Sequence, residues 1–161
     1  MTQFVFLHGP GAGGCAAAFE AQLAHFPDSV APDLPGHLSG APCPDVARYA
    51  DWLRGWLWAQ DKRENLMLVG YTLGASIALQ YALDYPDEVA GLVVMTVAME
   101  PKRRPPGTYE MRLRAAEDKT VYEAEWIAFQ QDAMHLVDPD LRERLIEKHR
   151  RVGPLSQLHD L

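Results

Sequence analysis

The chain has 161 residues, of which 48% are hydrophobic and 23% are charged, and this suits one globular domain with a sizeable core. The formal net charge of −7 argues against nucleic acid or an anionic membrane surface as a partner, because neither attracts an acidic protein at long range. Small neutral or weakly charged molecules remain candidate ligands.

The cysteines and the start of the chain indicate the compartment. Cys15 and Cys43 lie in no C-x-x-C motif or Cys/His cluster, so we expect reduced thiols rather than a metal site. The first residues carry no basic region and only a short apolar run, so we expect no signal peptide and a cytoplasmic protein. The longest uncharged apolar run, at 89–99, is too short to predict a transmembrane segment.

The first hundred residues alternate between apolar strand patterns and helical patterns joined by short turns. Strands are predicted at 3–7, weakly at 29–31, at about 65–69 and at 89–98, and helices at 16–26, at 45–60 and from the turn after 70 to about 85. This βαβαβαβ order predicts an α/β fold: a three-layer sandwich in which about four mostly parallel strands have helices on both faces.

The pattern changes after residue 100. A basic, proline-broken linker at 101–107 precedes three segments with purely helical patterns, at 109–117, 121–136 and 139–152. We therefore predict an α/β core at 1–100 and a separate helical segment at 101–161.

The stretch from Asn65 to Leu79 carries the strongest chemical signal. An apolar strand ends in the sequence GYTLG at 70–74, and helical spacing begins at once. Such a turn places the Thr72 hydroxyl at a helix N-terminus, where free N–H groups can stabilise negative charge. Taken alone, Thr72 is better explained as a turn residue or helix N-cap than as a nucleophile.

Three motifs, each after a predicted strand, together resemble the α/β-hydrolase family of the esterase and C–C bond hydrolase type. They are HGPGAGG at 8–14, DLPGH at 33–37 and GYTLG at 70–74. The resemblance covers residues 3–100 and implies an incomplete α/β-hydrolase fold, with 101–161 as the lid that such enzymes place over an apolar substrate pocket.

The resemblance also implies a site. Thr72 stands at the nucleophile elbow, where the family has serine, and Gly70 and Gly74 flank it because the turn leaves no room for side chains. The implied oxyanion-hole donors are the backbone N–H groups of Leu73 and Gly11, since the residue before Gly11 is a proline without an N–H. The substrate would be a small-molecule carboxylic ester or related carbonyl compound, with no metal or organic cofactor.

Two departures from the family pattern matter for catalysis. We expect a positive φ at Thr72, at which a β-branched residue adds about 1–2 kcal/mol of strain, and therefore a slow or inactive site. The later histidines, His135, His149 and His159, fall in predicted helical or terminal segments, and Glu100 is only a weak candidate for the acid. The sequence names no general base.

The resemblance implies that His8 and His37 brace their loops rather than act in catalysis. The chain ends among lid-like helices, so the strand at 89–98 is expected at a sheet edge, where an apolar strand invites pairing. A homodimer or a second polypeptide covering that edge is expected, and a truncated product would explain the same pattern. Two functions stay open: a carboxylesterase-like hydrolase, or a non-catalytic binding or assembly module, a pseudoenzyme with the same fold.

Overall fold

The computed structural model describes residues 2–10, 14–97, 106–107 and 137–151, together with isolated positions between 110 and 135. Its centre is a parallel sheet of three strands in the order β1, β2, β3. These strands are Gln3–Leu7, Leu66–Tyr71 and Val89–Met95.

The helices alternate with the strands in the order that the sequence predicts. A 3₁₀ turn, Ala16–Phe19, leads into α1, Glu20–His25; α2 is Val46–Trp58, α3 is Leu73–Asp84, and a 3₁₀ turn, Pro86–Glu88, precedes β3. The predicted cap of α2 is confirmed, since the Asp45 carboxylate accepts a hydrogen bond from the Arg48 amide at 2.8 Å.

Only one helix of the segment 101–161 is described along its length. This helix, α4, is Pro139–Arg151, and the Asp138 carboxylate caps it by accepting from the amides of Asp140 and Leu141. Most of the predicted helices at 109–117 and 121–136 lies outside the described residues. Within the described part of the chain, no helix has both the length and the apolar character to cross a bilayer.

The predicted strand at 29–31 is wrong: it is a single bridge beside β1. Val30 pairs with Val5 and exchanges backbone hydrogen bonds with Phe4 and Phe6 at 3.0 and 2.8 Å. The pairing stays short because Asp28 has a φ of 69° on one side and Pro32 has no N–H to donate on the other. β3 also ends before the predicted residue 98, since Thr96 has a φ of 57°.

Helices cover both faces of the sheet, as a three-layer α/β sandwich requires. On one face, apolar side chains of β1 and β2 pack against α2 and α3; this core includes Val5, Leu7, Leu53, Leu57, Leu66, Leu68, Ile77 and Tyr81. On the other face, Phe4 and Phe6 of β1 pack against the rings of Phe19 and Phe26. The predicted fold class is confirmed.

β3 forms one edge of the described sheet, with β2 as its only described neighbour. Val93, Val94 and Met95 remain 45, 38 and 42% exposed. Because side chains alternate along a strand, Val93 and Met95 lie on one face and Val94 on the other. Apolar surface is thus exposed on both faces of this edge.

A polar cluster lies at the amino end of the sheet, opposite the end at which Thr72 follows β2. The Arg54 guanidinium lies 4.3 Å from the ring centroids of both Trp58 and Tyr85 and donates to the Glu88 carboxylate at 2.6 and 2.8 Å. The Tyr81 hydroxyl donates to the same carboxylate at 2.5 Å. Burial alone would raise the pKa of Glu88, but the bonds from Arg54 and Tyr81 hold it below 4.5, so the carboxylate is charged at neutral pH.

Candidate active site

Thr72 joins β2 to α3 in a strained backbone conformation. Its φ of 49° and ψ of −114° confirm the positive φ predicted for this residue, in a region that a β-branched side chain rarely adopts. Two backbone bonds hold it: the Thr72 amide donates to the Met95 carbonyl at 3.0 Å, and its own carbonyl accepts from the Ser76 amide at 3.1 Å. Thr72 occupies the N-cap position of α3, but its side chain makes no capping hydrogen bond.

Gly70 and Gly74 provide space rather than conformational freedom. A Cβ on Gly70 would overlap the Gly74 carbonyl, and a Cβ on Gly74 would overlap the carbonyl of Leu7. Neither glycine has a positive φ. Their small size lets the first turn of α3 approach both β2 and the end of β1 closely, as the sequence predicted in general terms.

The Thr72 hydroxyl faces the backbone of Gly9. A Cβ on Gly9 would overlap Thr72 Oγ1 and would lie 2.5 and 2.9 Å from two ring carbons of Tyr71. Thr72 Oγ1 is buried and has no hydrogen-bond partner among the described residues. The contact between Gly9 and Thr72 was not predicted from the sequence, although the glycine after His8 was the available signal.

The first turn of α3 supplies the N–H groups that could stabilise an anion here. The N–H of Leu73, at the start of the helix, has no intrahelical acceptor by its position, and the helix dipole adds positive potential there. Gly11, the other predicted donor, lies outside the described residues. Its role stays a prediction.

His8 is a buried neutral brace between two loops. Its Nε2 accepts from the Leu34 amide at 2.9 Å, which requires an unprotonated Nε2, so Nδ1 carries the hydrogen and donates to the Gly9 carbonyl at 2.8 Å. Burial lowers the pKa of His8 to about 3, with a smaller contribution from His37, while the bond to Gly9 acts in the opposite direction. Both ring nitrogens are committed, which excludes His8 as a general base.

His37 packs in the same loop pair. Its ring meets that of His8 edge-on at 4.7 Å between centroids, and its Nδ1 lies 3.2 Å from the Leu34 carbonyl and 3.3 Å from the Pro35 carbonyl. The adjacent Gly36 has a φ of 85°, and a Cβ on it would lie 2.6 Å from the Pro42 Cβ. The bracing role expected of both histidines agrees with these contacts.

The described residues do not bring an acid and a histidine to Thr72. His135 is described only as an isolated position and His149 falls within α4, while Glu100 and His159 lie outside the described residues. The site as described therefore has a hydroxyl and free helix N–H groups, without an assembled proton acceptor.

Comparison with known proteins identifies the family. Residues 4–159 match the sequence model of the Alpha/beta hydrolase family. The chain belongs to this family. Its match to an uncharacterised protein of Mycobacterium tuberculosis is 38% identical over 79 residues, which cover 47% of this chain and 23% of that protein.

Solved esterases share the fold. An esterase from Rhodococcus sp. ECU1013 superposes with a TM-score of 0.72 at 21% identity, covering 98% of this chain and 62% of that one. A thermophilic esterase from Thermogutta terrifontis gives a TM-score of 0.67 at 20% identity, covering 99% of this chain and 61% of that one. The chain thus shares the fold of these two esterases and spans about three fifths of their length.

Replacement of Gly9 tests the packing around the Thr72 hydroxyl. We expect Gly9→Ala to lower the free energy of unfolding by about 1–3 kcal/mol, because the added methyl overlaps Thr72 Oγ1 and the Tyr71 ring. Gly55→Ala is the matched control: Gly55 lies in α2 with open space around a Cβ, so the change should stabilise by about 0.5–1 kcal/mol. Urea unfolding measures the free energy of unfolding of both variants. Equal changes in the two variants would contradict the close packing around Gly9.

The neutral state of His8 predicts how stability depends on pH. The folded pKa of His8, about 3, lies below its ordinary value of 6.5. The contribution of neutral His8 to the free energy of unfolding is therefore complete above pH 6.5 and is lost as the pH falls, at roughly 1 kcal/mol per pH unit. Urea unfolding at a series of pH values measures the slope. Nitrogen NMR of the imidazole should show the neutral Nδ1–H form of His8 down to about pH 5, and a titration midpoint above that would contradict the prediction.

Proposed function

We propose that this chain carries the nucleophile part of a carboxylic ester hydrolase, with Thr72 as the nucleophile. The observation that carries the proposal is the strained turn at the start of α3, which holds the Thr72 hydroxyl beside the glycine loop. A strained residue at a helix N-terminus is the arrangement in which acyl-transfer enzymes present a hydroxyl.

The proposed reaction is acyl transfer in two steps. Thr72 Oγ1 attacks the ester carbonyl carbon, its proton passes to a general base, and the carbonyl oxygen becomes an oxyanion that the N–H of Leu73, and of Gly11 as the second proposed donor, stabilises. Collapse of this intermediate breaks the bond to the alcohol, which leaves with the proton. Water then attacks the acyl group on Thr72, releases the carboxylic acid and restores the hydroxyl.

The esterases of the same fold and the charge of the chain support the substrate class. With a net charge of −7, the protein favours a neutral or weakly charged ester over an anionic one. We also propose the helical segment 101–161 as a lid over the substrate and, from the sequence alone, a cytoplasmic location.

A non-catalytic binding module is the second candidate, and the state of the Thr72 hydroxyl favours it. Oγ1 is buried and makes no hydrogen bond to a described residue, and the nearby His8 has no free nitrogen to act as a base. A threonine hydroxyl without a base is a weak nucleophile at neutral pH. The turn flanked by Gly70 and Gly74 would then support ligand binding or assembly alone.

Thr72→Ser separates the two functions. Removing the methyl relieves about 1 kcal/mol of strain and opens the approach to the hydroxyl, so we expect faster labelling by an alkyl fluorophosphonate and faster hydrolysis of p-nitrophenyl acetate than in the wild-type chain. Thr72→Ala controls for reaction elsewhere, and Ser76→Ala removes a hydroxyl one turn along α3. A folded Thr72→Ser chain that neither labels nor hydrolyses would reject the hydrolase and favour the binding module.

We further propose that a second copy of this chain covers the exposed edge of β3, because an apolar edge strand with exposed side chains on both faces favours pairing. Light scattering should then give a dimer mass for the wild-type chain and a monomer mass for Val94→Lys. Leu83→Lys, at a 69% exposed position on α3, should remain dimeric. A monomeric wild-type chain would refute self-association, and a heterogeneous complex with another polypeptide would favour a second chain.

A further inference from the structure

The glycine-rich segment between His8 and Ala16 is held at both of its ends by one loop. At the start of the segment, His8 Nε2 accepts from the Leu34 amide at 2.9 Å. At its end, the Ala16 amide donates to the Asp33 carboxylate at 2.7 Å. Asp33 and Leu34 are consecutive residues. The segment therefore leaves one point of the loop that follows the bridge at Val30 and returns to the same point.

The loop that carries Asp33 is itself attached to α2. The hydroxyl of Tyr49, on α2, donates to the Pro35 carbonyl at 3.0 Å. Tyr49 and Leu34 are both buried members of the apolar core between the sheet and the helices. The two hydrogen bonds to the glycine-rich segment therefore start from a loop that is anchored in the core on either side of Pro35.

The segment between these two hydrogen bonds borders the Thr72 hydroxyl. Gly9 faces Thr72 Oγ1 near the start of the segment, and Gly14 and Cys15 are buried near its end. Four of the seven residues at 9–15 are glycine, a composition that gives an unheld backbone many conformations. Fixing both ends removes most of these conformations, so the two bonds limit how far this backbone moves relative to the hydroxyl.

We propose that Asp33 is a positioning residue that fixes the far end of the glycine-rich segment, and with it the backbone beside the Thr72 hydroxyl. His8 holds the start of the segment through its own ring. The far end depends on the Asp33 side chain, whose carboxylate accepts a stronger hydrogen bond from an N–H than a neutral oxygen would. Asp33 acts through the backbone at 9–16 and not on the substrate.

The catalytic consequence of this inference rests on the proposed hydrolase function. Gly11, the second proposed oxyanion donor, belongs to this segment, whereas the first, Leu73, belongs to α3. Two donors on separate elements stabilise one oxyanion only if those elements keep their relative position. Loss of that alignment lowers the rate of the chemical step more than it lowers binding. Asp33 thus promotes attack by Thr72 without contact with the reacting atoms.

The test removes the Asp33 carboxylate from the full chain. In Asp33→Ala we expect hydrogen exchange at the Ala16 amide, followed by nitrogen-15 NMR, to become about tenfold faster. The NMR order parameter of the buried Gly14 amide should fall from about 0.85 to below about 0.6. In a Thr72→Ser background, the maximal rate of labelling by an alkyl fluorophosphonate should fall about tenfold, while the half-saturating concentration stays within about twofold.

Two further variants separate positioning from a loss of stability. Asp33→Asn keeps an oxygen that can accept from the Ala16 amide, so it should restore most of the labelling rate. Asp45→Ala is the matched control, because the exposed Asp45 carboxylate also accepts from a backbone amide, that of Arg48 at 2.8 Å, but within α2. It should lower the urea midpoint about as much as Asp33→Ala and leave Ala16 exchange, Gly14 order and labelling unchanged.

Unchanged Ala16 exchange in Asp33→Ala would overturn the proposal. Faster Ala16 exchange without a change at Gly14 would also overturn it, since Asp33 would then only cap the 3₁₀ turn that begins at Ala16. Labelling that is unchanged by Asp33→Ala, or slowed equally by Asp45→Ala, would count against it in the same way. If no variant with a hydroxyl at position 72 is labelled, the proposed function fails, and the two NMR measurements decide whether Asp33 holds the segment.

Discussion

The close approach of α3 to the carboxyl end of β1 determines the geometry around Thr72. Gly74 lies against the Leu7 carbonyl, and Gly70 lies against the Gly74 carbonyl, with no room for a Cβ on either glycine. Because the helix lies so near the strands, the single residue between β2 and α3 must reverse direction in little space. Its left-handed φ follows from that constraint, and the Met95 carbonyl of β3 receives its N–H.

Stability alone does not explain the residue at this turn. A positive φ at a β-branched residue costs of order 1–3 kcal/mol, and a buried hydroxyl that makes no hydrogen bond to any described residue adds about 1–3 kcal/mol unless an undescribed residue pairs with it. Other contacts offset these costs: His8 ties two loops together as a neutral tautomer, and the Arg54–Glu88 pair fixes the far end of the sheet. A strained threonine whose hydroxyl is buried without a described hydrogen-bond partner points to a function for that hydroxyl.

Sequence reasoning located the elements with strong local signals. β1, α2 with its Asp45 cap, and α3 follow from periodicity and capping, and the glycine motif located Thr72. The left-handed residue that ends β3, Thr96, has no such signal because threonine rarely adopts a positive φ. Gly9 and Tyr71 meet only because Leu7 pairs with Gly70 across the sheet, and a register between residues so distant in sequence leaves no local trace.

The two proposed functions, hydrolase and binding module, would use the same turn around Thr72 and would differ by one proton acceptor. In the proposed site, the free N–H groups at the start of α3 would stabilise negative charge on a bound oxygen whether or not a bond is broken, since they act through fixed dipoles. Proton transfer needs a further group, and His8 cannot supply it because a proton on Nε2 would face the Leu34 N–H and break the bond between the two loops. In both proposed functions, binding and proton transfer would therefore depend on separate residues, so the turn around Thr72 can be retained while the proton acceptor alone decides whether the Thr72 hydroxyl reacts.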